Sequence, residues 1–353
     1  MDDQTLPAAP GPIALFGSGE TAPNGRKVFK ALLEKLPSSP RVGLLETPAG
    51  FELNSEDVAG NIARFIEHHL QNFQPRTTLI PARKKGTPFS PQDPHLLKPL
   101  LKSDMIFMGP GSPSYAIRQL QDSLAWDYVL ARHRLGAGLA LASASTIAVG
   151  SYALPVYEIY KVGEDIHWLK GLDLFGNFGV PVILVPHWNN QEGGENLDTS
   201  RCFMGRERFD PMKDLLPEGH TILGIDEHTG MVIDFHQETC QVIGLDRVII
   251  QQGQQEKTYQ AGEEFSIHEL GDYEVPSWNK YISRKTWEKA LAVQQEYTEK
   301  GPEPGPEVKQ LLEKREQARK EEDWERSDQL REEIHNLGWD VRDTQEGQVV
   351  KKR

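Results

Sequence analysis

Apolar residues fall into two alternating patterns along the chain. Short unbroken runs, Ile13-Ala14-Leu15-Phe16, Val42-Gly43-Leu44-Leu45, Met105-Ile106-Phe107-Met108, Leu139-Ala140-Leu141-Ala142 and Val182-Ile183-Leu184-Val185, carry no polar alternation. Such runs read as strands buried on both faces. Between them, apolar residues return at helical spacing: Val28, Phe29, Leu32, Leu33 and Leu36; then Val58, Ile62, Phe65, Ile66 and Leu70; then Ile117, Leu120 and Leu124. Strands alternating with amphipathic helices predict an α/β fold, a mainly parallel sheet inside three αβα layers. After Pro181 the rhythm shortens. Ile222–Ile225, Met231–Ile233, Val242-Ile243 and Val248–Ile250 are brief strand-like pieces separated by turn residues. They predict an antiparallel or mixed extension of the same sheet. Ser283–Thr298 reads as a helix.

The pattern breaks at Gly301–Pro306, where two glycines and three prolines in six residues mark a linker. Beyond it Glu, Lys, Arg and Gln dominate. Val308, Leu311, Leu312, Arg315 and Ala318 fit one helix. Trp324, Ser327, Leu330, Arg331, Ile334 and Leu337 fit a second, which Gly338 stops. The expected organisation is a lead-in at 1–11, an α/β domain at 12–300, the linker at 301–306 and a helical hairpin module at 307–353.

Composition narrows the function classes. The 353 residues are 38% hydrophobic, enough for a sizeable core, and the net charge is −13. An acidic chain repels phosphate backbones in bulk, so nucleic-acid contact requires a local basic patch. Two cysteines, Cys202 and Cys240, make neither a disulfide framework nor a four-thiolate zinc site, which points to a reducing cytoplasm. No apolar run reaches the ~18 residues of a membrane helix, and the acidic, Pro-rich start has no secretory apolar region. Walker, His-Glu-x-x-His and Cys-x-x-Cys patterns are missing, so no cofactor or metal is expected.

The strand Leu139–Ala142 runs into Ser143-Ala144-Ser145-Thr146, a strand-to-helix turn lined by small residues. A nucleophilic serine needs such a turn; a plain helix N-cap serine also fits there. The Ala144 N–H, and that of Gly111 in Gly109-Pro110-Gly111-Ser112-Pro113, are candidates to hold a developing oxyanion, since Pro110 has no N–H. His187, in Pro186-His187-Trp188, follows a further strand. All three positions are strand C-termini, where parallel sheets gather their ligands. Arg201, Arg206 and Arg208 are candidates to hold a substrate carboxylate, or to pair with Glu207, Asp198 or Asp210. Cys202 reads as a small buried residue.

On these pieces the chain resembles the dipeptidase E and cyanophycinase group of serine peptidases, of the class I glutamine amidotransferase-like, flavodoxin-like fold. The matching segments are MGPGSPSYAIRQL, LALASASTIAV, VPHW and GIDEHTG, within about residues 12 to 255. The resemblance implies Ser143 as nucleophile, His187 as base and Glu158 as the acid that orients it. Where the family's nucleophile turn has glycines, this chain has Leu141 and Ser145. Two readings therefore stand: a serine hydrolase acting on a small peptide, amino-acid ester or amide, or a catalytically inactive binding protein. A third reading, NAD binding at Gly17-Ser18-Gly19-Glu20-Thr21-Ala22, is opposed by Pro23-Asn24-Gly25, which push the helix start to about Arg26.

The tail resembles the C-terminal module of cysteinyl-tRNA synthetases at Arg315, Ala318-Arg319, Ser327-Asp328, Arg331, Gly338-Trp339, Asp343-Thr344 and Gly347. That resemblance implies tRNA as a partner, with Arg315, Arg319 and Arg331 as candidate RNA contacts. The synthetase adenylation signatures are missing, so aminoacylation is not expected. Interspersed charge fits a plain docking hairpin equally well.

Overall fold

The computed structural model describes residues 10–275, 281–300, 304–344 and 347–352. The expected lead-in up to residue 9 and linker residues 301–303 lie outside the described residues. The chain divides into two compact units between Ala290 and Leu291. The division falls inside a helix, upstream of the Gly/Pro segment that composition marks as the linker.

In the first unit, strands β1 (Ile13–Phe16), β2 (Arg41–Leu45), β3 (Arg76–Ile80), β4 (Met105–Met108) and β5 (Gly138–Ala142) alternate with helices. These are α1 (Pro23–Leu33), α2 (Ser55–His69), α3 (Pro113–Leu120) and α4 (Leu124–Arg134), and a five-residue helix α5 (Ala144–Ala148) follows β5. Two short strands come next, β6 (Tyr152–Ala153) and β7 (Leu169–Lys170), then β8 (Val182–Val185) and α6 (Gly205–Lys213). The unit continues through β9 (Thr221–Ile225), β10 (Thr229–Asp234), β11 (Thr239–Gly244), β12 (Arg247–Gln252), β13 (Gln255–Gln260) and β14 (Glu264–Ser266) to the start of α7 (Arg284–Lys300), the helix in which the division falls.

The large sheet has eight strands in the order β14-β11-β10-β1-β5-β4-β2-β3. Its β1-β5-β4-β2-β3 half is parallel; the unbroken apolar runs predict β1, β5, β4 and β2, whereas β3, Arg-Thr-Thr-Leu-Ile, is not such a run. Phe16, Val42, Leu44, Met105, Phe107 and Ala140 pack with Phe29 and Leu32 of α1 and Ile62 and Ile66 of α2 in one core. The alternate strand residues Ile13, Leu15, Ile106, Met108, Leu139 and Leu141 are equally buried, so both sheet faces are covered.

The later strands do not all extend this sheet. β10, β11 and β14 do, but β8, β9, β12 and β13 form a separate four-stranded sheet in which β8 and β9 are parallel. β1 already pairs with β5 on one side and antiparallel with β10 on the other, Ile13 opposite Ile233, so it offers β8 no free edge.

In the second unit α8 (Pro306–Lys320) and α9 (Trp324–Asn336) form the expected hairpin, and Gly338 turns the chain at φ +82°. A β-hairpin that the helical reading did not anticipate follows, β15 (Trp339–Thr344) with β16 (Gly347–Lys352). It closes a small core of Val308, Ile334, Trp339 and Val341. Two helices of this length bury little apolar surface by themselves, and the hairpin supplies the missing wall.

Candidate active site

Ser143 joins β5 to α5 at φ +51° and ψ −109°. A side chain rarely adopts a positive φ, and the conformation persists only where its surroundings enforce it. Two hydroxyls do so. Thr146 Oγ1 donates to the Leu141 carbonyl at 2.8 Å, and Ser145 Oγ donates to the Gly109 carbonyl at 2.6 Å. The two glycine replacements are thereby accommodated. Leu141 is a buried strand residue paired with Leu15 and Met108, and the Ser145 side chain has a partner. Ser143 makes no cap hydrogen bond; its Oγ lies 3.1 Å from His187 Nε2.

His187 follows β8, itself at φ +52°. Its N–H donates to the Gly17 carbonyl at 3.1 Å, and its carbonyl accepts from the Cys202 N–H at 3.1 Å. Its Nδ1 meets Glu227 Oε1 at 2.8 Å. With Nδ1 keeping its proton and donating it to that carboxylate in a hydrogen bond, Nε2 is left as the acceptor facing Ser143. Glu227 is fixed in turn: Asn190 Nδ2 donates to its Oε1 at 3.0 Å, and its N–H donates to Asn189 Oδ1 at 2.7 Å. The hydrogen bond to His187, and after it the one from Asn190, hold the Glu227 carboxyl below its ordinary range against desolvation.

The carboxylate on His187 is therefore Glu227, whereas the sequence expectation was Glu158. Glu158 begins a π-helical turn, Glu158–Val162, and its Oε1 accepts from Ser114 Oγ. The β8–β9 register explains the exchange. Val185 lies beside Gly224, so the chain beyond β8 reaches His187 level with the chain beyond β9 at Asp226 and Glu227. The signals in the sequence were a carboxylate just past the end of an apolar strand and its place in the GIDEHTG segment.

Gly111 sits at φ +146°, and a Cβ there would lie 2.0 Å from the Pro48 carbonyl oxygen, so only glycine fits. The neighbouring Ser112 N–H donates to the same oxygen at 3.0 Å. Among the described residues no acceptor takes the Gly111 or Ala144 N–H. The Ser145–Gly109 bond ties the two donor segments together.

Arg201 stacks on the Trp188 ring at 4.0 Å and reaches the Trp188 carbonyl, so its guanidinium is occupied by that platform. Arg206 and Arg208 stand on α6, where the Arg206 N–H donates to Asp198 at 2.9 Å. Burial pushes the Cys202 thiol up to about 12, which leaves it inert as a nucleophile. The Gly17–Ala22 loop braces the site, with Ser18 Oγ accepting from the His228 N–H at 2.9 Å. α1 starts at Pro23 rather than near Arg26. The Gly19 and Glu20 carbonyls lie against Gly25 in its first turn, where a Cβ would clash. Among the described residues no acidic, His or Cys cluster suits a metal, and no helix is long and apolar enough to cross a membrane.

In the second unit Arg315 is not a surface contact. Its side chain is 1% exposed, and its two terminal nitrogens bond Asp343 at 3.0 and 3.1 Å and Gln348 at 2.9 Å. Arg319 pairs with Asp343 at 3.0 Å beside the Trp324 ring, and Arg331 is exposed.

Comparison with known proteins separates the two units. Residues 301–350 match the cysteinyl-tRNA ligase anticodon binding domain family. The cysteine–tRNA ligase of Methanosarcina mazei is 52% identical over 52 residues, 15% of this chain. The match spans only 11% of that ligase. A putative peptidase E protein from Listeria monocytogenes EGD-e superimposes with TM-score 0.42 at 15% identity, over 72% of this chain and 100% of that one. A peptidase from an acI-B1 Actinobacterium superimposes with TM-score 0.57 at 22% identity, over 73% of this chain and 97% of that one. The α/β unit thus has the fold of that peptidase, and it is followed by a segment similar to a tRNA ligase anticodon-binding domain.

Proposed function

We propose that the α/β unit is a serine hydrolase, a peptidase or esterase for a small amide or ester, working in the cytoplasm. One observation carries this reading: the relay from Ser143 through His187 to Glu227, at 3.1 and 2.8 Å, behind a serine in a strained backbone. His187 Nε2 takes the hydroxyl proton as Ser143 Oγ attacks the carbonyl carbon. The oxyanion turns to the Gly111 and Ala144 N–H groups. Collapse breaks the bond to the leaving amine or alkoxide, which takes the proton back from His187. Water, deprotonated by the same nitrogen, then releases the acid and restores Ser143. Glu227 holds the imidazole tautomer and stabilises its charged form.

A fluorophosphonate that labels serine nucleophiles tests the reading between pH 6 and 9. Wild type should label, and Ser143→Ala and His187→Ala should not. An unlabelled wild type would leave the inactive binding protein as the better account.

The tail supports an RNA-linked form of the same chemistry. A segment similar to an anticodon-binding domain suggests tRNA as partner, and aminoacyl or peptidyl esters on tRNA suit a Ser–His nucleophile because esters cleave more readily than amides. Binding of tRNA that falls steeply with salt would support this, since phosphate contacts release counterions.

A further inference from the structure

The hydrolase reading leaves one strained turn without a task. Arg201, Cys202 and Phe203 lie at φ +59°, +57° and +68°, a stretch of left-handed backbone built without a glycine. Such backbone is costly for any side chain and is normally visited by single residues, so three in a row persist only where the surroundings enforce them. Here the enforcement is a set of hydrogen bonds. The Arg201 N–H donates to the Trp188 carbonyl at 2.8 Å, the Cys202 N–H to the His187 carbonyl at 3.1 Å and the Phe203 N–H to the Thr199 carbonyl at 2.9 Å. The turn is therefore anchored on His187 itself. Two of its side chains are used inside the unit, Arg201 on the Trp188 ring and Cys202 in the core. The third, Phe203, is only partly buried, and its ring centroid lies 6.2 Å from that of His187. Tyr160, from the Glu158–Val162 turn, adds a second partly buried ring 5.3 Å from Phe203 and tilted by 39°. The Lys161 ammonium stands over the Tyr160 ring at 4.7 Å.

We infer that Phe203, with Tyr160 against it, is a specificity wall for the leaving group, and that the substrate is an ester or amide whose departing alcohol or amine carries a planar ring. This rests on the hydrolase reading. In that reading His187 Nε2, 3.1 Å from Ser143 Oγ, returns the proton to the departing atom, so the leaving group must pass beside this imidazole. The acyl oxygen goes to the Gly111 and Ala144 N–H groups, which leaves the imidazole side to the departing group. The ring standing there is Phe203. A planar ring meets a tilted aromatic pair edge to face or offset, contacts that a saturated ring of the same size does not make. The hydrogen-bonded turn fixes the wall before the substrate arrives, so little order is lost on binding.

Two phosphonothiolates with the same phosphonyl arm test it, one releasing 2-phenylethanethiol and the other 2-cyclohexylethanethiol. Both leave the same adduct: Ser143 Oγ bonds to phosphorus, the P–S bond breaks, and the departing thiolate takes the proton that His187 received from Ser143. The ring stands two carbons from sulfur, so the two thiols are similar in basicity and the ratio of rates reads the ring. Wild type should react about three- to tenfold faster with the phenyl probe. Phe203→Leu should bring that ratio to about one, Phe203→Tyr should keep it, and Tyr160→Leu should lower it part of the way. Equal rates on wild type would overturn the inference. So would a ratio that survives Phe203→Leu, including an equal slowing of both probes, which would make the ring a support for His187 alone. Wild type that takes a fluorophosphonate but neither thiol probe would overturn it as well. Wild type inert to the fluorophosphonate too would instead overturn the hydrolase reading, and this inference with it.

Discussion

A serine held at φ +51° carries a backbone cost of about 1–3 kcal/mol. The hydroxyls of Ser145 and Thr146, buried and bonded to strand-end carbonyls, keep it there. Its chemistry depends equally on a residue outside the turn. Glu227→Gln should leave the fold intact and lower the fluorophosphonate labelling rate of Ser143 by about a hundredfold or more, because the imidazole loses its tautomer control and its counter-charge. Labelling at the wild-type rate would remove Glu227 from the relay. A second residue acts on stability alone. His133 is fully buried between the Phe178 and Phe235 rings, and burial pushes its imidazole down to about 4. The unfolded chain takes up this proton near pH 6.5 and the folded chain does not. Its contribution is therefore intact above about pH 6.5 and is lost as pH falls toward 4, by up to about 1.4 kcal/mol per unit. Unfolding midpoints at pH 7, 6 and 5 should drop more steeply for wild type than for His133→Gln; parallel slopes would show another group is responsible. Ser143 and His187 were legible in the sequence, since each ends an apolar strand. Glu227 was not, because its place opposite His187 depends on the pairing of β8 with β9, a long-range register that no local pattern encodes.

At the scale of elements, the inner parallel strands β1, β2, β4 and β5 were readable because burial on both faces leaves them almost wholly apolar, whereas β3, Arg76–Ile80, is partly exposed, carries Arg76, Thr77 and Thr78, and gives no such run. Which sheet each strand joins was not, because β10 and β12 carry the same kind of short apolar run and differ only in the edge they meet. The Gly109–Ser112 loop is fixed by contact rather than by composition. It is pressed on the Thr47–Ala49 turn through the Pro48 carbonyl and held to α5 by Ser145. Gly111→Ala should cost about 1–3 kcal/mol, from overlap with that carbonyl and from the positive φ, and should displace the Gly111 N–H. Labelling of Ser143 should slow in the folded variant even after stability is matched by temperature. An unchanged rate would exclude the Gly111 N–H as an oxyanion donor. Ser145→Ala, which removes one hydroxyl and adds no bulk, should move in the same direction by a smaller step, about 1 kcal/mol in stability.

At the scale of the whole molecule, two units of different chemistry share one chain, and the tail is where resemblance and physics assign residues differently. The pattern of the tRNA-ligase segment includes Arg315, yet this guanidinium is spent inside its own unit, joining α8 to the β15–β16 hairpin through Asp343 and Gln348. Periodicity placed Arg315 on a helix beside Leu311 and Leu312; only the hairpin, unseen in the sequence pattern, reveals its inward partners. Arg315→Ala should therefore destabilise the second unit by about 2 kcal/mol, since the buried guanidinium and its bonds to the partly exposed Asp343 and Gln348 are lost, and should weaken tRNA binding only through unfolding. Arg331 is exposed. Arg331→Ala should leave the unfolding midpoint nearly unchanged and, where a phosphate is contacted, lower the slope of log affinity against log salt by about one. Hydrogen exchange on the tail separates the two effects from the binding curves. The net charge of −13 lowers the expected affinity through long-range repulsion, while counterion release at local phosphate contacts of the tail makes binding strongest at low salt and weaker near physiological ionic strength. A chain ending at Lys300 should not bind; equal binding with and without the tail, or no binding by the full chain at low salt, would make the second unit a docking module and leave the proposed hydrolase activity to substrates free of RNA.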